Sequence, residues 1–176
     1  MSQIIIKSFK SPFGELILGD FDGKLCLADW KYRKMRNSID QRIKKGLNAE
    51  YVEGNSDLIE VAIEQLNNYS EGKSKVFDIP LKMVGTDFQK KVWQALINIP
   101  FGETRSYLQL SRELGDEKAI RAVATANGAN CISIIIPCHR IIGSNSEMVG
   151  YAGGILAKKK LLQLEQKEPF VQRELF

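Results

Sequence analysis

The sequence predicts an α+β protein in two parts: a small N-terminal α/β domain over residues 1–84 with a mainly antiparallel sheet, and a mostly helical domain over 85–176 containing a helix-turn-helix. Three observations carry this. Short apolar runs separated by tight-turn residues fill the chain up to Trp30, helical periodicity sets in after Gly54, and two short helical patterns flank Gly115-Asp116-Glu117.

In order, Ile4-Ile5-Ile6 reads as a strand, Ser11-Pro12-Phe13-Gly14 as a turn, Leu16-Ile17-Leu18 as a strand, Asp22-Gly23 as a hairpin turn and Leu25 to Trp30 as a third strand. Residues 31–46 are strongly basic (Lys31, Arg33, Lys34, Arg36, Arg42, Lys44, Lys45) and read as a solvated helix or loop with no site. Leu58, Ile59, Ala62, Ile63, Leu66 and Tyr69 then recur at helical spacing, with Asn55 or Ser56 as the cap and Gly72 beyond the end, so this helix packs on the sheet. A polar, extended passage from Gly72 through Pro80 leads to a boundary near Lys82 to Gly85.

Thr86 or Asp87 caps the next helix, whose apolar face holds Phe88, Val92, Trp93 and Leu96 and which Pro100 ends. Tyr107 to Leu114 and Lys118 to Asn127 are the two arms of the helix-turn-helix. The second arm is mostly alanine around Arg121, too poor in Arg, Asn, Gln and Lys to read base edges in a major groove. It reads either as a helix packed tightly on protein or as a small-faced helix laid into a narrow groove. The run Ile132 to Ile136 reads as a buried strand that Pro137 stops, delivering Cys138 and the chain's single histidine, His139. Neighbours on an extended chain point to opposite faces, so a Cys138–His139 couple requires a bridging water or an irregular turn at Pro137. Gly143-Ser144-Asn145-Ser146 reads as a flexible turn, Val149 to Gly154 as a glycine-rich loop that lets backbone approach a ligand, and Ile155 to about Gln166 as the last helix. On that helix Glu165 borders the apolar face and needs a partner, for which His139 is the candidate.

Composition sets bounds. With 176 residues, 44% hydrophobic and 26% charged, the chain has the make-up of an ordinary globular protein. No apolar run approaches a membrane-spanning length of ~20 residues and Met1-Ser2-Gln3 does not open a signal peptide, which points to a cytoplasmic protein, or a nuclear one in a eukaryote. Cys26, Cys131 and Cys138 form no CxxC pair and one histidine completes no zinc set, so no metal is expected and the thiols read as free. A net charge of +4 permits nucleic-acid binding without requiring it.

The segment Ile136-Pro137-Cys138-His139-Arg140-Ile141-Ile142, with Gly150-Tyr151-Ala152-Gly153-Gly154 and Leu161-Leu162-x-x-Glu165 after it, resembles the active-site signature of the O6-alkylguanine-DNA alkyltransferase family. Upstream, Phe88-Gln89-Lys90-Lys91-Val92-Trp93, Ile99-Pro100-Phe101-Gly102-Glu103-Thr104-x-Ser106-Tyr107 and Arg121-Ala122-Val123 fall in the order and spacing of that family's DNA-binding half. The motifs cover about residues 85–165, and the N-terminal sheet fits loosely.

The resemblance implies a ribonuclease H-like N-terminal domain and a single-turnover repair protein. Its partner would be double-stranded DNA carrying O6-alkylguanine, met through the minor groove with the damaged base flipped out, by a monomer needing no membrane, cofactor or metal. Cys138 would accept the alkyl group, His139 would act as base through a water, and Glu165 would orient the imidazole. Asn130 would tie the helix-turn-helix to the active-site stretch, Tyr107 would help turn the nucleotide and donate a proton to the departing guanine, and Lys158 would lie near the same site. Arg121 would fill the gap in the base stack, with Ala119, Ala122 and Ala124 against the minor groove. The base pocket would comprise Arg140, Ile141, Tyr151, Ala152 and Gly153. Three departures stand out: Ala152 replaces a serine of some members, Ser133 a proline, and Ile120 is bulkier than the usual alanine. Competing readings are a damage-binding relative without chemistry, which would lack the cysteine, a helix-turn-helix regulator, and a multiple-turnover cysteine hydrolase.

Overall fold

The computed structural model describes residues 1–143 and 148–166. The turn expected at 143–146 therefore lies, past Gly143, outside the described residues. The hairpin signals fold as written: β1 (Ser2–Ser11), β2 (Gly14–Phe21) and β3 (Lys24–Trp30) form an antiparallel meander, with Asp22 at φ 52° and Gly23 at φ 79° in the two-residue turn. A fourth strand, β4 (Ala49–Glu53), pairs parallel to β1 and gives the order β3-β2-β1-β4. It follows α1 (Arg36–Leu47), whose C-cap Asn48 takes the left-handed conformation at φ 47°. The sequence reading missed β4 because Ala49-Glu50-Tyr51-Val52-Glu53 is an edge strand with one fully buried side chain, Ala49.

Helix α2 (Asp57–Ser70) is capped by Ser56, whose hydroxyl accepts from the Ile59 amide, and buries Ile59, Ala62, Leu66 and Tyr69. The polar passage behind it is not a free linker, because Leu25 N donates to Pro80 O at 2.8 Å and Lys82 N to Leu25 O at 2.9 Å, docking the segment beside β3. Helix α3 (Asp87–Ile97) starts from a capping box between Thr86 and Gln89 and buries Val92, Trp93 and Leu96. Phe88, expected on that face, is exposed. Position 88 lies in the first turn, at the edge of the arc that buries Val92, Trp93 and Leu96.

The helix-turn-helix is α4 (Tyr107–Glu113), a 3-10 turn at Glu117–Ala119 capped by Asp116, and α5 (Ile120–Gly128). Trp93 Nε1 donates to Ala126 O at 2.8 Å, so α3 holds α5 by its buried side. The other side of α5 presents Arg121, Ala122 and Thr125 to solvent. Last comes α6 (Ile155–Glu165), entered through Gly154 at φ 90°. One hydrophobic cluster runs through both expected halves, from Ile4 and Leu27 to Trp93, Ile136 and Leu161.

The structure corrects two expectations. The run Ile132–Ile136 is not a strand: its backbone pairs with the sheet at Ala28 and then folds back on itself. Its isoleucines are apolar because the bend is wholly buried, and apolarity alone does not distinguish a buried strand from a buried turn. The basic stretch 31–46 is likewise not uniformly solvated. Asp29, fully buried at the end of β3, pairs with Arg33 at 3.1 Å and Arg36 at 2.9 Å. Arg33 also donates to Gly128 O at 2.7 Å and Asn130 O at 3.1 Å, and Arg42 to Ala129 O at 2.9 Å. Arginines of the N-terminal part thus satisfy the carbonyls that end α5, where cations are also favoured by the helix dipole.

Removing Asp29 would leave the buried Arg33 guanidinium without a counter-charge and Arg36 with Asp40 alone, a defect that costs about 3–5 kcal/mol. Asp29→Ala is therefore expected to lower the stability measured by chemical denaturation by that amount, and an unchanged midpoint would show that the arginines find water instead.

Candidate active site

The cysteine is delivered by a knot of tight turns. Asn130 lies just after α5, 2% exposed; its Nδ2 donates to Ile136 O at 2.9 Å and its Oδ1 accepts from Ile132 N at 3.0 Å. One side chain therefore staples both ends of the 132–136 bend. Within the bend Ile135 N donates to Ser133 O at 2.8 Å across Ile134, which is forced to φ 72°, a region that β-branched residues avoid. Such strain persists only where surrounding bonds over-determine it, and Asn130 supplies those bonds. A second three-residue turn, Cys138 N to Ile136 O at 2.8 Å around Pro137, then feeds the 3-10 turn Cys138–Arg140 and the short strand β6 (Ile141–Ile142), parallel to β5 (Arg105–Ser106).

From that 3-10 turn His139 and Arg140 both reach Glu165 on α6. His139 Nε2 lies 2.7 Å from Oε2, Arg140 Nε donates to Oε1 at 2.8 Å and Arg140 Nη2 to Oε2 at 3.0 Å. The Tyr69 hydroxyl, from α2, also donates to Oε2, and Arg140 Nη1 donates to Ile99 O at 2.6 Å. Burial pushes the Glu165 pKa up, but the contacts with His139 and Arg140 outweigh it and hold the carboxyl at about 2. For His139 burial wins over the pull of Glu165, and the imidazole pKa falls below its ordinary value. The resting pair is thus a carboxylate and a neutral imidazole. With Nε2 donating to Glu165, the remaining nitrogen is a basic Nδ1, buried and without a partner among the described residues.

Cys138 is 4% exposed, and burial raises its thiol pKa while the Asn130 side chain works against the rise. The thiol rests protonated and needs a base. Half-buried Tyr107, at the start of α4, is also raised by burial and stays protonated, with the Asn127 amide opposing. Lys158, 1% exposed, donates to Ile141 O at 2.5 Å and to Val149 O at 3.3 Å; burial lowers its pKa to about 8 against the influence of Cys138. It ties β6 to the start of the glycine-rich loop. On that loop Tyr151 meets the Trp30 ring edge-on at 5.7 Å, and a Cβ on Gly153 would lie 2.5 Å from the same ring, so only glycine fits there. Tyr151, Ala152, Gly153 and Gly154 face Trp30, Arg33 and Met35 across an open cleft of about 640 Å³.

The structure gathers Cys138, His139, Glu165, Asn130 and Lys158 in one buried region, with Tyr107 beside it. Arg121 and Ala122 are exposed on α5, with Ala119 and Ala124 half-buried. Arg140 needs correcting: expected in the base pocket, it commits its guanidinium to Glu165 and Ile99 O, because a buried carboxylate this close captures the nearest fork of donors. The Ile141 carbonyl, in the expected base pocket, accepts from Lys158. Sequence reasoning missed Tyr69, which has the spacing of one more apolar-face residue of a helix, and Asn127, 7% exposed with an unpartnered Oδ1. A tyrosine where the helical pattern asks for Leu or Ile is the available signal for the first.

Residues 87–167 match a family model described as the DNA-binding domain of 6-O-methylguanine DNA methyltransferase. Methylated-DNA–protein-cysteine methyltransferase of Mycobacterium leprae is 39% identical and covers 99% of both chains. Its counterpart in Methanosarcina mazei is 47% identical over 89% of this chain and 94% of its own. Among solved structures, Mycobacterium tuberculosis OGT in complex with DNA superimposes with a TM-score of 0.78 at 37% identity, covering 99% of both chains.

Because Glu165 is ionised in the fold down to about pH 2 but only to its ordinary value of 4.5 when unfolded, the stability it confers is complete above pH 4.5 and fades as pH falls towards 2. The stability gap between the native protein and Glu165→Gln, on the order of 3 kcal/mol at neutral pH, is expected to close across that window in denaturation series taken at stepped pH.

Proposed function

Because the chain belongs to the methylated-DNA–protein-cysteine methyltransferase family, we propose that Cys138 is its acceptor and that His139, Glu165, Asn130 and Tyr107 carry the transfer from O6-alkylguanine. The chain is a DNA-repair protein that moves an alkyl group from DNA to its own cysteine. The observation that supports the residue roles is the relay itself: a carboxylate fixing one nitrogen of a neutral imidazole, the other nitrogen free, and a protonated thiol on the adjacent residue.

Transfer begins at the thiol. The Cys138 proton passes to His139 Nδ1, by way of a water because the two side chains make no direct bond, and Glu165 stabilises the imidazolium. The thiolate sulfur attacks the alkyl carbon; an S–C bond forms as the C–O6 bond breaks, and that electron pair stays on the guanine. Tyr107 donates a proton to the departing base, and the proton held by His139 makes good the tyrosine's loss. Guanine and the relay both end neutral apart from the Glu165 carboxylate, as they began. The thioether cannot be reopened by this machinery, so each molecule reacts once.

A buried thiol cannot reach an alkyl group inside a base stack, which requires the nucleotide to be extruded at a cost of a few kcal/mol, lower for a poorly paired damaged base. The exposed face of α5 suits such extrusion. Ala122, with half-buried Ala119 and Ala124 near it, allows close approach to a narrow groove, and Arg121 stands ready to fill the vacated stack. The loop Tyr151 to Gly153 forms the pocket wall, and action as a monomer completes the reading. Incubation with duplex DNA carrying O6-methylguanine, followed by intact-mass and peptide analysis, is expected to show one methyl on Cys138 and none on Cys26 or Cys131. Cys138→Ala keeps the affinity for damaged DNA and loses transfer, whereas Arg121→Ala weakens binding with the thiol intact. An unmodified protein beside unrepaired base would overturn the assignment.

A further inference from the structure

Glu165 Oε2 accepts from three donors: His139 Nε2 at 2.7 Å, Arg140 Nη2 at 3.0 Å and the Tyr69 hydroxyl at 2.5 Å. The first two come from the 3-10 turn beside the cysteine. Tyr69 comes from α2, 96 residues away along the chain in the N-terminal part. Its ring is 1% exposed and seated among Phe13, Phe77 and Phe101, with centroid separations of 6.2, 5.3 and 6.1 Å, so the hydroxyl has no freedom to turn elsewhere. A tyrosine this deep, facing a carboxylate, keeps its proton at every working pH, since burial first and the Glu165 charge next both disfavour its ionised form. It is a permanent donor.

We propose that Tyr69 is a positioning residue of the alkyl-transfer relay, its hydroxyl occupying one lone pair of Glu165 Oε2 so that His139 meets an already satisfied carboxylate and rests neutral with its proton on Nε2. The N-terminal part thereby sets the base strength of the active site. This rests on the reading of His139 as base. A carboxylate oxygen that shares its charge with a tyrosine and an arginine attracts an imidazolium less than one facing the imidazole alone. Among the described residues, Glu165 and Lys158 on α6 and Arg140 on the 3-10 turn act on the imidazole, with Cys138 next to it in sequence and Tyr69 from α2 on the same carboxylate oxygen. Among them Tyr69 can lose its polar atom without a change of ring shape or net charge.

The test is Tyr69→Phe in the full chain. His139 is the sole histidine, so ring-15N labelling gives one titrating signal that needs no assignment. In the native protein that signal is expected to report the Nε2–H tautomer. In the variant the midpoint should rise, on the order of one pH unit, and the rising limb of the pH–rate profile for methyl transfer should move up with it. Coincident midpoints and profiles would overturn the proposal. Phe13→Leu, which loosens the packing on Tyr69 without touching Glu165, should lower stability and leave the midpoint in place; a shift equal to that of Tyr69→Phe would reassign the effect to packing and also overturn it. Should Tyr69→Phe not fold, the native protein decides. Its downfield proton spectrum should contain a protected resonance with no bonded nitrogen, from the tyrosine hydroxyl, beside the nitrogen-bound one of His139, and absence of the first would refute the contact. A native protein that titrates as described but never takes up methyl would instead refute the acceptor role of Cys138 and leave Tyr69 standing.

Discussion

The Glu165 carboxylate is the constraint on which the active site depends. It is an anion sealed from water, and a sealed anion is tolerated only when its lone pairs are met by well-placed donors. Those donors arrive from separate parts of the chain: the 3-10 turn gives His139 and Arg140, α2 gives Tyr69, and Gly102 N lies 3.5 Å from Oε1 in the turn after α3. None of these elements can shift without uncovering a charge. Chemistry and fold stability therefore share one interaction, and Arg140, the arginine nearest the thiol in sequence, is committed to the carboxylate rather than to substrate.

A second polar system presents the thiol. Asp29 orients Arg33 and Arg36, Arg33 and Arg42 cap the C-terminal carbonyls of α5, fixing where that helix ends, and Asn130 directly beyond it bonds both ends of the 132–136 bend. The same helix offers Arg121 and Ala122 to solvent at its other end. A rigid path of hydrogen bonds thus joins the surface proposed to meet DNA to the residue proposed to react with it. Ile134 at φ 72° shows how tightly the bend is held, since a β-branched residue would leave that conformation if released.

Much of this is legible in the sequence because it rests on local chemistry. Asp22-Gly23 dictates a hairpin, Ser56 and Thr86 cap helices, and Glu165 sits at the spacing that turns it inward. What escapes a sequence reading are long-range choices among locally equal options. Ile132–Ile136 has the composition of a strand, and only the Asn130 staple, invisible without the fold, bends it into turns. Arg33, Arg36 and Arg42 are indistinguishable along the chain from the exposed Lys34 and Lys45 beside them; the guanidinium fork, the buried Asp29 and the carbonyls beyond α5 select them. Tyr69 obeys its helical period, and its hydroxyl acquires a role only once α6 brings Glu165 to it.

The raised pKa of Cys138 runs against the usual expectation for a nucleophile, yet it follows from the protein's use of the thiol. Burial lowers reactivity by holding the proton on sulfur, with Asn130 recovering part of it, while His139 is kept neutral and its Nδ1 free. A residue consumed in a single event gains nothing from standing ionised between events, because a thiolate reacts with any oxidant or electrophile that reaches it. On the proposed reading, deprotonation waits for the alkylated base, which reserves the thiol for its substrate. In the roles proposed for them, Asn130, His139 and Glu165 would supply that conditional activation, since each can stabilise the transferred charge.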